Sequence, residues 1–160
     1  MRDIVKLGLK LFLIAAIAGL ALGATNAITA GPIEEQRIAE ANAARVFVLP
    51  EAAEFTEMDA ADGLDEIYLA KDASGNPAGL TGKITVTGFG GPIEITVGVG
   101  ADGAITGVKV GGSDFAETAG LGAHTKDPSF AAQFTGKTSP IALKKNGGDI
   151  DAVVVLYRLL

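Results

Sequence analysis

The chain has 160 residues, enough for one modest domain and a membrane anchor, and its formal net charge is −6 at pH 7. This acidic balance argues against binding to nucleic acid through phosphate contacts, so no nucleic-acid partner is expected. The absence of cysteine excludes disulfides and thiolate metal ligands, and a single histidine, His124, argues against a zinc site. No metal site is predicted.

The first predicted segment, residues 1–33, contains a transmembrane helix. Residues 11–33 carry no charge, and as a helix they would span about 35 Å, against about 30 Å for the hydrocarbon core of a bilayer. Three basic residues precede this stretch and two acidic residues follow it. The positive-inside rule therefore places the N-terminus in the cytoplasm and the rest of the chain outside. A cleaved signal peptide is the alternative, and it predicts a mature N-terminus near Ala30.

The second predicted segment, residues 34–66, is an amphipathic stalk and an acidic connector. Gly31-Pro32 is expected to interrupt the first helix, and residues 34–47 then form a second one. Residues 51–65 show little pattern, and partial helix is expected there. The many acidic side chains of this part are typical of a solvated surface, and a docking face for a basic partner is the alternative.

The third segment, residues 67–160, is predicted to form an α+β domain around an antiparallel or mixed sheet of three or four strands. The strands are expected where β-branched residues alternate with smaller or polar ones, at residues 67–70, 83–87, 93–99 and 105–110. Residues 88–92 are expected to form a loop. Asp102-Gly103 indicates a tight hairpin turn. Asp127-Pro128 predicts the start of a short helix, and residues 140–143 a short strand.

The stretch Glu117-Thr118-Ala119-Gly120-Leu121-Gly122, here named the ligand loop, is the candidate site. Its glycines expose main-chain N–H groups, and its acid, hydroxyl and leucine offer an acceptor, a polar contact and an apolar face to a ligand. A structural turn is the alternative. His124 is expected to be exposed, and Asp149 and Asp151 to face solvent. No catalytic residue is predicted, because one histidine and scattered serines do not make a triad.

The order of these features resembles the FMN-binding domain family of membrane electron-transport complexes. The resemblance covers the apolar N-terminal helix, Val48-Leu49-Pro50, the strand Ile93–Val99 after a glycine-rich run, Asp102-Gly103 in its hairpin, and the segment Phe130–Lys137. Its most specific part is the ligand loop. This loop looks like the family's Glu-Thr-Pro-Gly-Leu-Gly signature, with Ala119 in place of the proline.

The resemblance implies an electron-relay subunit of an ion-translocating complex, which works with other membrane subunits and is not an enzyme alone. It implies FMN on the extracytoplasmic side, contacted by Glu117, Thr118, Gly120, Leu121 and Gly122. Both Rnf-type ferredoxin:NAD oxidoreductases and sodium-translocating NADH:quinone reductases contain such subunits, and the lack of long insertions favours the Rnf type. A membrane-anchored binding or assembly module without flavin is the alternative function.

The chain departs from the family near its C-terminal end. The family continues into Ser-Gly-Ala-Thr, whose threonine takes the flavin covalently, whereas here Asp151-Ala152-Val153 is followed by an apolar run to Leu160. Ser-Gly-Ala-Thr occurs nowhere in the chain, so no attachment residue is assigned. A truncated or out-of-frame sequence near Val153 is expected. A natural variant that binds flavin non-covalently or not at all is the alternative.

Overall fold

The computed structural model describes residues 2–61 and 63–152 of the chain. The chain divides into two compact units, Met1–Ala39 and Glu40–Leu160. Helix α1 covers Arg2–Val48 and is followed by strands β1 (Glu54–Met58), β2 (Glu66–Lys71), β3 (Pro77–Thr87), β4 (Pro92–Gly100) and β5 (Ile105–Val110), and by helix α2 (Pro128–Ala132). Two 3-10 turns, Gly122–Lys126 and Lys144–Asn146, flank α2 in the sequence.

The first unit is the N-terminal part of α1, and it is apolar and exposed. An 18-residue window of this helix has a mean hydropathy of 2.1 with none of it buried, so α1 is long and apolar enough to cross a membrane. The predicted interruption at Gly31-Pro32 is wrong, because α1 continues through Pro32. Proline removes one main-chain donor, but membrane helices tolerate this loss where small adjustments satisfy the freed backbone groups.

The second unit is built on a five-stranded antiparallel meander in the order β1-β2-β3-β4-β5. The longest pairing joins β3 to β4, from Gly79 opposite Gly100 to Thr87 opposite Pro92. The predicted α+β class with one N-terminal membrane helix is confirmed, and the predicted strands β2 to β5 are all present. The predicted strand at residues 140–143 is wrong, because the structure assigns residues 140–142 to no strand, and Leu143 forms an isolated bridge with Ile150 within the described part of the chain.

Strand β1 is the fifth strand, and it lies where partial helix was expected. Almost all of its side chains are exposed. For this reason the segment does not show the alternation of apolar and polar residues that marks a half-buried strand. It is an edge strand held by main-chain pairing with β2, from Glu54 opposite Lys71 to Met58 opposite Ile67. The pairing with the next strand, rather than a pattern within β1 itself, holds β1 in the sheet, which explains why the local sequence does not predict it.

Successive side chains of the central strands point to opposite faces of the sheet. One face carries the core cluster of Ile93, Val108, Val110 and Phe130, to which Phe134 adds an edge-to-face contact with Phe130 at 5.5 Å between ring centroids. Beside this cluster, the sheet and the segment after α2 line an apolar cleft of about 370 Å³. Helix α2 therefore covers this face only in part.

The last turn of α1 contacts the opposite face. Val48 and Leu49 are fully buried, and the Thr106 hydroxyl donates to the Val48 carbonyl at 2.5 Å. A Cβ atom at Gly98 would lie 2.3 Å from that carbonyl oxygen, and one at Gly107 would lie 3.0 Å from the Val48 Cα atom. Gly98 and Gly107 are cross-strand partners. Together they form a backbone notch that receives the end of α1.

A charged cluster joins α1 to β2 and β3 on the same face. Arg45 donates to Glu66 at 2.7 Å, Lys83 pairs with the other oxygen of Glu66, and the Arg45 guanidinium lies 3.7 Å from the centre of the Tyr68 ring. Burial by itself raises the pKa of Glu66, but the hydrogen bonds and positive charges of Lys83 and Arg45 outweigh burial and leave this pKa below its usual value.

We expect Glu66→Gln to lower the free energy of unfolding by about 1–3 kcal/mol near neutral pH, because two charge-assisted hydrogen bonds are weakened. Since the folded pKa of Glu66 is depressed, its contribution is complete above the unfolded pKa and disappears as the pH falls through the folded one. Denaturant unfolding of the full chain in detergent, at pH values above and below about 4.3, measures this difference.

The exposed Glu57 of β1 supplies the matched control. We expect Glu57→Gln to change the free energy of unfolding by less than about 0.5 kcal/mol. A difference between Glu66→Gln and the parent chain that stays constant down to the acid end of the series would contradict the assigned role of Glu66.

Candidate functional site

The ligand loop is a tight turn centred on Gly120. The Leu121 N–H donates to the Thr118 carbonyl at 3.1 Å, and Ala123 donates to the same oxygen at 3.2 Å. Gly120 has φ +77°, which the third position of such a turn requires and which a residue with a Cβ atom rarely adopts. A Cβ atom at Gly120 would meet nothing within 4 Å, so the loop is open to solvent at this point.

The five predicted site residues separate into an outer and an inner set. Thr118, Gly120 and Leu121 lie on the exposed side, where Leu121 retains half of its accessible surface. Gly122 is buried, and its carbonyl accepts a hydrogen bond of 2.7 Å from the buried Thr125 hydroxyl. The outer set presents a hydroxyl, an open main chain and an apolar side chain, while the buried end holds the loop in place.

Glu117 is the buried acid at the start of the ligand loop, with 9% of its surface exposed. Its Oε1 atom accepts a hydrogen bond of 3.0 Å from the Gly90 N–H. Its Oε2 atom is buried and has no hydrogen-bond partner among the described residues. An unpaired buried acceptor costs about 1–3 kcal/mol, and a bound ligand or water is the usual way in which such an atom is satisfied.

A second loop, Gly88-Phe89-Gly90-Gly91-Pro92, packs directly against the ligand loop; we name it the glycine loop. A Cβ atom at Gly88 would lie 2.1 Å from Glu117 Oε1, and one at Gly90 would lie 2.0 Å from the Ala116 carbonyl oxygen. Only glycine permits this approach of the two backbones. The sequence predicts the glycine loop as a connection and gives it no place in the site. The feature of the sequence that could have indicated this contact is the presence of three glycines and a proline between two predicted strands.

The other titratable residues considered from the sequence, His124, Asp149 and Asp151, lie on the exposed surface. The His124 ring lies 2.8 Å from Asp127, whose side chain makes no capping bond to α2. Asp149 pairs with Lys137 at 3.0 Å, and Asp151 pairs with Lys144 at 2.5 Å. No group of three or more potential metal ligands occurs within residues 2–61 and 63–152. The two aspartates face solvent, as predicted.

The two loops pack together into one wall, and the chemistry of that wall suits a flat cofactor that bears a phosphate. The wall offers a buried acceptor without a partner, an exposed hydroxyl, an open main chain at Gly120 and an apolar contact at Leu121. These groups fit FMN, which has ring and ribityl donors, a phosphate and an extended planar ring. Residues 88–154, which begin with the glycine loop, match the FMN-binding domain.

Similar proteins identify the particular family. The chain is 39% identical over 153 residues to the G subunit of the Na(+)-translocating ferredoxin:NAD(+) oxidoreductase complex of Acetobacterium woodii, over 86% of this chain and 72% of that protein. It is 32% identical over 123 residues to the G subunit of the ion-translocating oxidoreductase complex of Cereibacter sphaeroides, and spans 55% of that protein's length. The chain belongs to the family of FMN-binding G subunits of ion-translocating oxidoreductase complexes.

Membership of this family confirms the resemblance inferred from the sequence and makes FMN the cofactor. It also confirms the association with electron and ion transport and with a multi-subunit oxidoreductase complex. The predicted alteration of the chain from Val153 onward lies outside the described residues. The assignment of individual residues of the ligand loop to FMN stays a prediction.

We expect Gly90→Ala to weaken FMN binding at least tenfold, a loss of about 1.4 kcal/mol, because its methyl group would push the two loops apart and break the hydrogen bond to Glu117. Gly82→Ala is the matched control. Its Cβ atom would lie 3.5 Å from Leu64 Cδ1, an ordinary contact. Titration of both variants with FMN, followed by flavin fluorescence, measures the effect. Equal affinity of the two variants would show that the loops need not touch.

Proposed function

We propose that the chain is the FMN-carrying electron relay of a membrane-bound, ion-translocating electron-transport complex of the Rnf type. The observation that carries this proposal is the pairing of two glycine-rich loops through the buried Glu117 carboxylate, within a chain 39% identical to the G subunit of such a complex. When bound, FMN supplies the redox chemistry through its isoalloxazine ring. The protein contributes position, exclusion of water and electrostatic environment.

Each of the five predicted residues has a specific task in this proposal. Glu117 accepts a hydrogen bond from an FMN donor through its free oxygen, and the Thr118 hydroxyl bonds to a polar group of the cofactor. Leu121 contacts the ring. Gly120 keeps the main chain open to close approach, and Gly122 fixes the buried end of the loop.

Of the two explanations given for the departure near Val153, the alternative one, in which FMN is held non-covalently, is proposed for the 160-residue chain. Ser-Gly-Ala-Thr, whose threonine takes the flavin in the resembling family, is absent from the sequence.

We therefore expect acid precipitation of the FMN-loaded chain to release all of its flavin into the supernatant, because no covalent bond would link FMN to the unfolded chain. Absorbance of the supernatant and fluorescence of the chain after denaturing electrophoresis measure the two fractions. A fluorescent band would contradict non-covalent binding. A colourless chain, purified with its partner subunits and unable to take up added FMN, would instead favour a binding or assembly module without flavin.

The proposed topology places residues 1–33 in the cytoplasm and membrane, residues 34–66 as stalk and connector, and residues 67–160 as the FMN-binding domain outside. The long apolar helix and the basic residues at its start support this arrangement. The partners are the other membrane subunits of the complex, which deliver electrons to the relay and accept them from it.

The absence of cysteine makes this topology directly measurable, because one introduced cysteine reports one position. We expect Ala101→Cys, in the exposed hairpin turn, to react with a membrane-impermeant maleimide in intact spheroplasts. We expect Arg2→Cys, at the exposed start of α1, to react only after the membrane is permeabilised. The reverse pattern would contradict the extracytoplasmic placement of the domain.

A further inference from the structure

Phe89 in the glycine loop has no role in the contacts described so far. It is 83% exposed, more than any other large apolar side chain that the structure describes. Exposure of a whole aromatic ring forgoes the stabilisation that its burial would provide. A single exposed apolar residue is ordinary on a protein surface. What distinguishes Phe89 is the way its backbone is held by its neighbours, and not its exposure alone.

The backbone that carries Phe89 is fixed on both sides. The Gly88 N–H donates to the Gly91 carbonyl at 2.8 Å, which closes a turn around Phe89. The Gly90 N–H donates to Glu117 Oε1, and the backbone of Gly90 lies against Ala116. The ring therefore projects from a closed turn that is attached to the start of the ligand loop.

An independent observation at the same junction points to a bound ligand. Glu117 is nine-tenths buried, and its Oε2 atom has no partner among the described residues, although its Oε1 atom holds the turn that carries Phe89. A ligand that donates a hydrogen bond to Oε2 and has an aromatic ring would satisfy the acceptor and cover the phenyl ring together. FMN has both kinds of group.

We propose that Phe89 contacts the isoalloxazine ring of FMN, and that the hydrogen bond between Gly90 and Glu117 fixes Phe89 at this site. The glycine loop is then a second flavin-contacting segment beside the ligand loop. This inference rests on the proposed function, since it requires FMN to bind at the ligand loop. Aromatic rings in contact take offset-stacked or edge-to-face arrangements, and an exposed phenyl ring can adopt either.

The chain contains no tryptophan, so Phe89→Trp introduces a single indole at the proposed contact. An indole in contact with an isoalloxazine ring quenches flavin fluorescence by electron transfer. Phe55→Trp is the matched control: Phe55 pairs with Ala70, and Ala70 pairs with Gly79, at the end of β3 remote from Gly88. We expect the fluorescence of bound FMN to be several-fold lower in Phe89→Trp than in Phe55→Trp.

A second variant keeps the inference testable if Phe89→Trp fails to bind FMN. We expect Phe89→Leu, which removes the ring but keeps an apolar side chain, to raise the Kd for FMN about five- to tenfold. Circular dichroism of each variant shows whether the fold is retained.

Three results would overturn the inference. The first is bound FMN with equal fluorescence in the two tryptophan variants. The second is an unchanged Kd in Phe89→Leu together with loss of co-purifying membrane subunits, which would make Phe89 a subunit contact. The third is a parent chain that binds no FMN, which overturns the proposed function as well. In the first two results the parent chain still binds FMN, so the two failures are distinguishable.

Discussion

The hydrogen bond from the Gly90 N–H to the Glu117 carboxylate brings together two loops that are 27 residues apart. Because Glu117 is buried, this bond forms in a medium where water competes weakly, and breaking it would leave a second carboxylate oxygen unpaired. The open turn at Gly120 and the exposed leucine beside it depend on this placement. A buried carboxylate thus helps to place the exposed part of the ligand loop on the surface of the domain.

Much of the sheet can be predicted from the sequence because its central strands satisfy two demands at once. In β4 and β5, most residues favour an extended backbone. Their side chains also point alternately to the two faces of the sheet: one face packs against Phe130, and the other faces the end of α1. Strand β1 satisfies neither demand and is held only by its neighbour. Pro32 shows the opposite limit, since its strong local preference is outweighed by the long helix that continues on both sides of it.

The candidate site could be predicted in part. The composition of Glu117–Gly122 indicates a loop that exposes its backbone, and the resemblance to a family indicates the cofactor. The sequence does not show that Glu117 is buried or that its partner is Gly90, because that contact depends on how β3 and β4 direct their connecting turn. Glycine spacing alone does not separate a turn from a close contact between two backbones.

The notch at Gly98 and Gly107 has a mechanical consequence. Where a helix meets a sheet through side chains, rotamer changes absorb small displacements, but here the Val48 backbone lies directly against two glycine backbones. A displacement of the last turn of α1 would therefore press directly on the paired centres of β4 and β5, because no side chain stands between the Val48 carbonyl and these two glycines to change its rotamer.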